Sequence, residues 1–133
     1  MSDTDRKAVL EEAERWWAVA AEDLRVVRAC LAMEPPSLGN AAYHCQQAAE
    51  KTMKGLLIAA GAGFRKVHDL DELASAATPL YPVLAADLDR CRPFTVWATE
   101  YRYPSEDDSP PPSEDEIFEA LDILQRLQAT MTG

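Results

Sequence analysis

The sequence predicts an all-α fold, an antiparallel up-and-down bundle of four long helices plus one short helix. Two observations carry that expectation. Apolar residues recur at steps of three and four along most of the chain, and no stretch shows the two-residue alternation of a half-buried strand. A third observation sets the scale. A chain of 133 residues, 47% of them hydrophobic, can bury one sizeable core, so residues 1–133 are expected to form a single domain.

The first helix is read from Val9, Ala13, Trp16, Ala20, Leu24, Val27 and Leu31, which share one face and stop before Pro35-Pro36. Trp17 lies beside that stripe and either widens it or belongs to a partner surface. The second helix begins between Ser37 and Asn40. It traces a narrow seam of small residues, Ala41, Cys45, Ala48, Thr52, Leu56 and Ala59, and Gly61 and Gly63 supply the permissive backbone expected past its end. "DLDE" then reads as a capping box, with Asp69 as N-cap and Glu72 three positions on, opening a short third helix.

Pro79 and Pro82 bound the start of the fourth helix, whose face carries Leu84, Leu88 and Cys91, and Pro93 is expected to kink or interrupt it. Continuing the stripe gives Thr95, Ala98 and then Arg102. An acidic, proline-rich loop at about residues 104–112 is the only low-complexity segment. Ser113 and Glu116 form a second capping box, and Ile117, Ala120, Leu121, Leu124 and Leu127 give the last stripe.

Charge and cysteine usage narrow the function. With 23 acidic and 13 basic residues the net charge is -10, so general nucleic-acid binding is disfavoured by repulsion, although a few basic groups at short range can still hold a nucleotide or an RNA end. Cys30, Cys45 and Cys91 form no CxxC pair and cannot all pair within one chain. They read as reduced thiols packed as small hydrophobes in a cytoplasmic protein. The N-terminus is charged rather than a signal peptide, and no apolar run approaches the ~20 residues of a membrane span.

Four motifs in order, "AEDL" at 21–24 behind a tryptophan-bearing segment, "YHCQQAAEKTMKGLL" at 43–57, "HDLDEL" at 68–73 and "YRYP" at 101–104, resemble those of a HEPN domain across nearly the whole chain. The resemblance implies a helical bundle that often forms a homodimer and is commonly encoded beside, or fused to, a minimal nucleotidyltransferase. It also implies two lines of activity. Some members bind nucleotides or substrates as partners of that enzyme, and others are metal-independent ribonuclease toxins of toxin–antitoxin modules. The ribonucleases use an arginine followed, after four to six residues, by a histidine. Histidine moves a proton near neutral pH, and arginine steadies the phosphate.

Arg102 matches that arginine in position, but Asp107, Asp108 and Ser109 occupy the place of the histidine. The departure removes the acid/base group and reverses the local charge, so no catalytic residue is assigned. The favoured function is a catalytically silent nucleotide- or partner-binding protein. The alternative is a ribonuclease using Arg102 with a base not yet recognised.

The candidate phosphate or partner contacts are Lys51, Lys54, Arg65, His68 and Arg102. The segment from Lys51 to Lys66 holds four basic and no acidic residues, and Lys51 and Lys54 share one side of their helix. Each has a structural alternative. Lys54 can pair with Glu50 at i+4, His68 can fix its loop by a hydrogen bond, and Arg102 can anchor to Glu22, Asp23 or Glu100. His44 lies on the polar flank of the second helix, within reach of a ligand or a second subunit. No metal site or cofactor is expected, since neither His44 nor His68 has a ligand companion at helical spacing. Apolar surface around Trp17, Trp97 and Tyr101 marks where dimer contacts are expected.

Overall fold

The computed structural model describes residues 2–64, 69–98 and 110–132, and among them every regular element is helical. Helix α1 spans Asp3–Ala32, α2 Leu38–Ala59, α3 Leu70–Ala77, α4 Ala85–Arg90 and α5 Glu114–Thr132, with 3₁₀ segments at Pro82–Leu84 and Arg92–Ala98.

The caps explain where the helices begin and end. The Ser2 hydroxyl accepts the Asp5 amide at 3.1 Å, and the Asp69 carboxylate accepts that of Asp71 at 2.9 Å. At α5 both halves of the capping box form. The Ser113 hydroxyl accepts from the Glu116 amide at 3.1 Å, and the Glu116 carboxylate accepts from the Ser113 amide at 3.2 Å. Helix α2 ends in a Schellman motif, in which Gly61 adopts φ +75°, the Ala62 amide reaches Leu57 O and the Gly61 amide reaches Ile58 O, each at 2.9 Å.

Pro93 interrupts the fourth arm, as its missing N–H and ring require. Regular α-helix stops at Arg90, and the chain proceeds as 3₁₀ helix to Ala98. This arm is therefore a chain of short pieces, held by side chains where backbone ladders are missing. Arg92 donates to Asp89 Oδ1 at 2.8 Å and, across to α3, to Asp71 Oδ1 at 2.7 Å and Ser75 Oγ at 2.8 Å. The Thr95 hydroxyl accepts the Leu70 amide at 2.9 Å, and Phe94 and Trp97 stack with ring centroids 4.5 Å apart.

Helix α2 is the centre of the bundle and touches α1, α3, α5 and the Arg92–Ala98 segment. Its burial is far wider than the narrow seam expected: Thr52 through Leu57 are all buried, because a central helix meets neighbours on every side. The α1 stripe also differs in one place. Ala13, Ala20, Leu24 and Val27 are buried as expected, but the core tryptophan is Trp17, while Trp16 is only partly buried. Gly55 sets this choice. A Cβ there would lie 2.6 Å from Trp17 Cδ1, so the absence of a side chain lets the indole rest on α2, where its N–H donates to Thr52 O at 3.2 Å.

Trp17 and Trp97 are each 7% exposed within the single chain, so neither supplies the spare apolar surface expected of it. Tyr101 and Glu100 lie outside the described residues. The three cysteines are free and buried, and burial pushes the thiols of Cys45 and Cys91 up to about 12.

Candidate functional site

The polar groups the bundle turns inward gather on the α1–α2 seam. Asp23 is the hinge of one cluster. It follows Glu22 on α1, but its carboxylate faces α2 and is only 8% exposed. His44 and Lys51 stand seven residues apart on α2, two turns along one face, so both reach it. Lys51 Nζ donates to Asp23 Oδ2 at 2.7 Å, and His44 Nδ1 lies 2.9 Å from Asp23 Oδ1. A carboxylate accepts and does not donate, so the proton of this bond sits on Nδ1 and a neutral His44 ring keeps Nε2 as its acceptor. Tyr43 packs its ring edge-to-face against His44, with centroids 5.1 Å apart.

A second cluster lies further along α2. Glu50 accepts from Gln46 at 3.3 Å and from Lys54 at 3.2 Å. The Lys54 ammonium also sits 5.6 Å from the Trp16 ring centroid and 5.4 Å from that of Phe64, and the two rings meet edge-to-face at 5.8 Å. Lys54 is therefore a buried cation held between a carboxylate and two aromatic rings, 5% exposed.

Of the five candidate contacts, the structure describes two. Lys51 and Lys54 belong to separate networks, and each ammonium has a carboxylate partner. The Glu50–Lys54 pair at i+4 is present. Arg65, His68 and Arg102 lie outside the described residues, as do Asp107, Asp108 and Ser109. Of the three acids weighed as anchors for Arg102, Glu100 lies outside the described residues and the other two have other partners: Asp23 holds Lys51 and His44, and Glu22 holds Arg25 at 3.0 Å.

Outside these clusters, a cleft of about 320 Å³ opens beside α1, lined by Glu12, Arg15, Trp16, Val19 and Lys51. A longer groove of about 520 Å³ between α1 and α5 is lined chiefly by Leu10, Trp17, Ala18, Ala21 and Met131. Among the described residues no group of three or more His, Cys, Asp or Glu side chains is placed to hold a metal ion, and no helix is long and apolar enough to cross a membrane.

The fold and the seam together define an all-helical bundle whose first two helices are joined by partnered charges. The chain belongs to the HEPN family: the family model described as HEPN domain matches residues 13–131, nearly the whole length. No curated protein and no solved structure matches the chain significantly.

Proposed function

We propose that this HEPN-domain chain is a cytoplasmic binding protein, the partner of a nucleotidyltransferase in a two-component unit, and catalytically silent toward RNA. The observation that carries the reading is the internal pairing of the seam. Asp23 neutralises Lys51, and Glu50 neutralises Lys54. These groups brace α1 against α2 and the aromatic pair, and an RNA phosphate would have to displace a carboxylate to use them. The aspartates at 107 and 108, in place of the family's histidine, support the same reading.

Two measurements test it. Purified protein incubated with RNA should give no cleavage above buffer, and cleavage abolished by Arg102→Ala would overturn the proposal. Co-expression with the product of the adjacent reading frame should give a stable complex if that product is a nucleotidyltransferase. For nucleotide binding, Lys51, Lys54, Arg65, His68 and Arg102 are the proposed contacts, and a phosphate reaches Lys51 or Lys54 only by displacing Asp23 or Glu50. A rise in melting temperature with ATP or AMP that Lys51→Ala with Lys54→Ala removes would show that displacement, whereas no shift would leave the two lysines as internal braces.

One observation favours a second reading, a ribonuclease of a toxin–antitoxin module. The Asp23–His44 bond orients an imidazole in the manner of a general base, and the His44 side chain is 26% exposed. On that reading His44→Ala abolishes RNA cleavage together with Arg102→Ala.

A further inference from the structure

Where Pro93 breaks the fourth arm, a cleft of about 400 Å³ opens between that arm and α5. Pro93, Phe94 and Trp97 form its apolar wall on the arm, and Ala120 and Ile123 face them from α5. Its rim is charged. Asp89 and Arg90 stand on the arm and Glu116 and Glu119 on α5, so three carboxylates meet one guanidinium. The α5 residues Glu116, Glu119, Ala120 and Ile123 are spaced i, i+3, i+4 and i+7, which puts acids and apolar groups on a single face of the helix.

Charge complementarity names what fits there. Arg90 pairs with Asp87 at 3.5 Å, and Asp87 also holds Arg126 at 3.0 Å, so the one basic group of the lining is already engaged. Asp89 accepts from Arg92 through Oδ1, and Glu116 accepts from the Ser113 amide through Oε1, which leaves one oxygen of each for a further donor. Glu119 has no hydrogen-bond or ion-pair partner among the described residues. The missing group is a cation, and the apolar wall selects its kind. A guanidinium is planar and weakly hydrated, and it can bridge carboxylates while its methylene stem lies along Phe94, Trp97 and Ile123. An ammonium is a compact, strongly hydrated charge and loses more on entering.

The surface beside the cleft extends the match. Asp115, Glu119 and Asp122 recur at i, i+4 and i+7, all exposed, and form an acidic ridge about 10 Å long on the outer side of α5. Asp115 lies about 6 Å along the axis from Glu119. An extended chain repeats its side chains on one side every two residues, about 6.6 Å, so two basic residues separated by one spacer meet both acids at once. We propose that this cleft and ridge are the docking site for a basic segment of a partner protein, which seats an arginine against Glu119 and Glu116 and sets a second basic residue, two positions along, on Asp115. The inference is independent of the nucleotidyltransferase reading, since it names the chemistry of a docking segment and either can fail alone.

The probe is the peptide acetyl-Gly-Gly-Arg-Gly-Arg-Gly-Gly-amide, titrated into the full ¹⁵N-labelled chain at low salt. Binding is read from the Trp97 indole N–H signal, assigned with Trp97→Phe. That signal should shift and saturate with a dissociation constant below about 1 mM, while the indoles of Trp16 and Trp17 stay in place. Glu119→Lys should weaken binding about tenfold or more. Its side chain is exposed and unpartnered, and circular dichroism should show the helices retained. Glu11→Lys makes the same charge change on an exposed position of α1 and should leave the affinity within about twofold. The peptide with lysine for both arginines should bind about threefold or more weakly. A Trp97 signal that stays put up to about 1 mM peptide would overturn the proposal. Equal losses from Glu11→Lys and Glu119→Lys would do the same, because they would mean attraction to the net charge of -10 alone. So would putrescine binding as tightly as the arginine peptide, since it carries the same two charges without a guanidinium.

Discussion

Glu22 and Asp23 are adjacent acids on α1, and the bundle treats them in opposite ways. Glu22 points outward to Arg25, whereas Asp23 points into the seam and holds Lys51 and His44. The consequence is a difference in what each removal costs. Asp23→Ala leaves a part-buried ammonium without its acceptor and should lower stability by about 1–3 kcal/mol. Glu22→Ala breaks an exposed pair and should change it by less than about 0.5 kcal/mol. Urea melts of the two variants at low protein concentration give the comparison. Gly55 provides a second residue-scale test. By helix propensity alone Gly55→Ala would stabilise α2 by about 1 kcal/mol. The added Cβ, however, falls within overlap of the Trp17 indole, so the indole must move from the α2 surface and risk its bond to Thr52 O. The expected result is a net loss of about 1–3 kcal/mol, seen as a lower melting temperature, because overpacking outweighs propensity in a filled seam.

Element boundaries were legible in the sequence where their causes are local. The Ser113–Glu116 box, the Asp69 cap, the Gly61 turn and the break at Pro93 each depend on residues within a few positions of one another, and each is found. Ser113→Ala should therefore cost α5 about 1 kcal/mol, read as a drop in melting temperature, since it exposes the Glu116 amide and frees the reciprocal carboxylate. What was not legible has distant causes. Adjacent tryptophans differ by one helical step, and either fits a stripe; the choice of Trp17 over Trp16 is made by Gly55 on another helix. The charged seam was hidden for the same reason. The sequence offers Asp23 as an anchor for Arg102 and Lys51 as a phosphate or partner contact, and only the Glu50–Lys54 pair, whose i+4 spacing is local, is read as an internal pair. The burial of Asp23 depends on Lys51, which reaches it from 28 residues away. His44 and Lys51 two turns apart were the available signal, and it gains meaning only beside an acid on the facing helix.

At the scale of the molecule, a net charge of -10 surrounds a core that contains two deeply buried thiols, and the contrast fixes how the fold responds to base. Burial holds the protons of Cys45 and Cys91 to about 12, and for Cys45 the nearby thiols Cys91 and Cys30 add to the shift. In the unfolded chain the same groups ionise near 9.0. Below 9.0 both states keep the protons, and the thiols give stability no pH dependence. Above it the unfolded chain binds fewer protons than the native one, so stability falls as pH rises, by up to about 1.4 kcal/mol per pH unit for each thiol. The loss runs until the native thiols ionise. Replacing both cysteines with alanine removes the linked groups at some cost in packing, which lowers the whole curve but should flatten its alkaline limb. Urea unfolding of wild type and Cys45→Ala/Cys91→Ala between about pH 8 and 11 measures the difference. Wild type should lose stability more steeply above 9.0, and parallel alkaline limbs would show that the thiols are not where the fold resists ionisation.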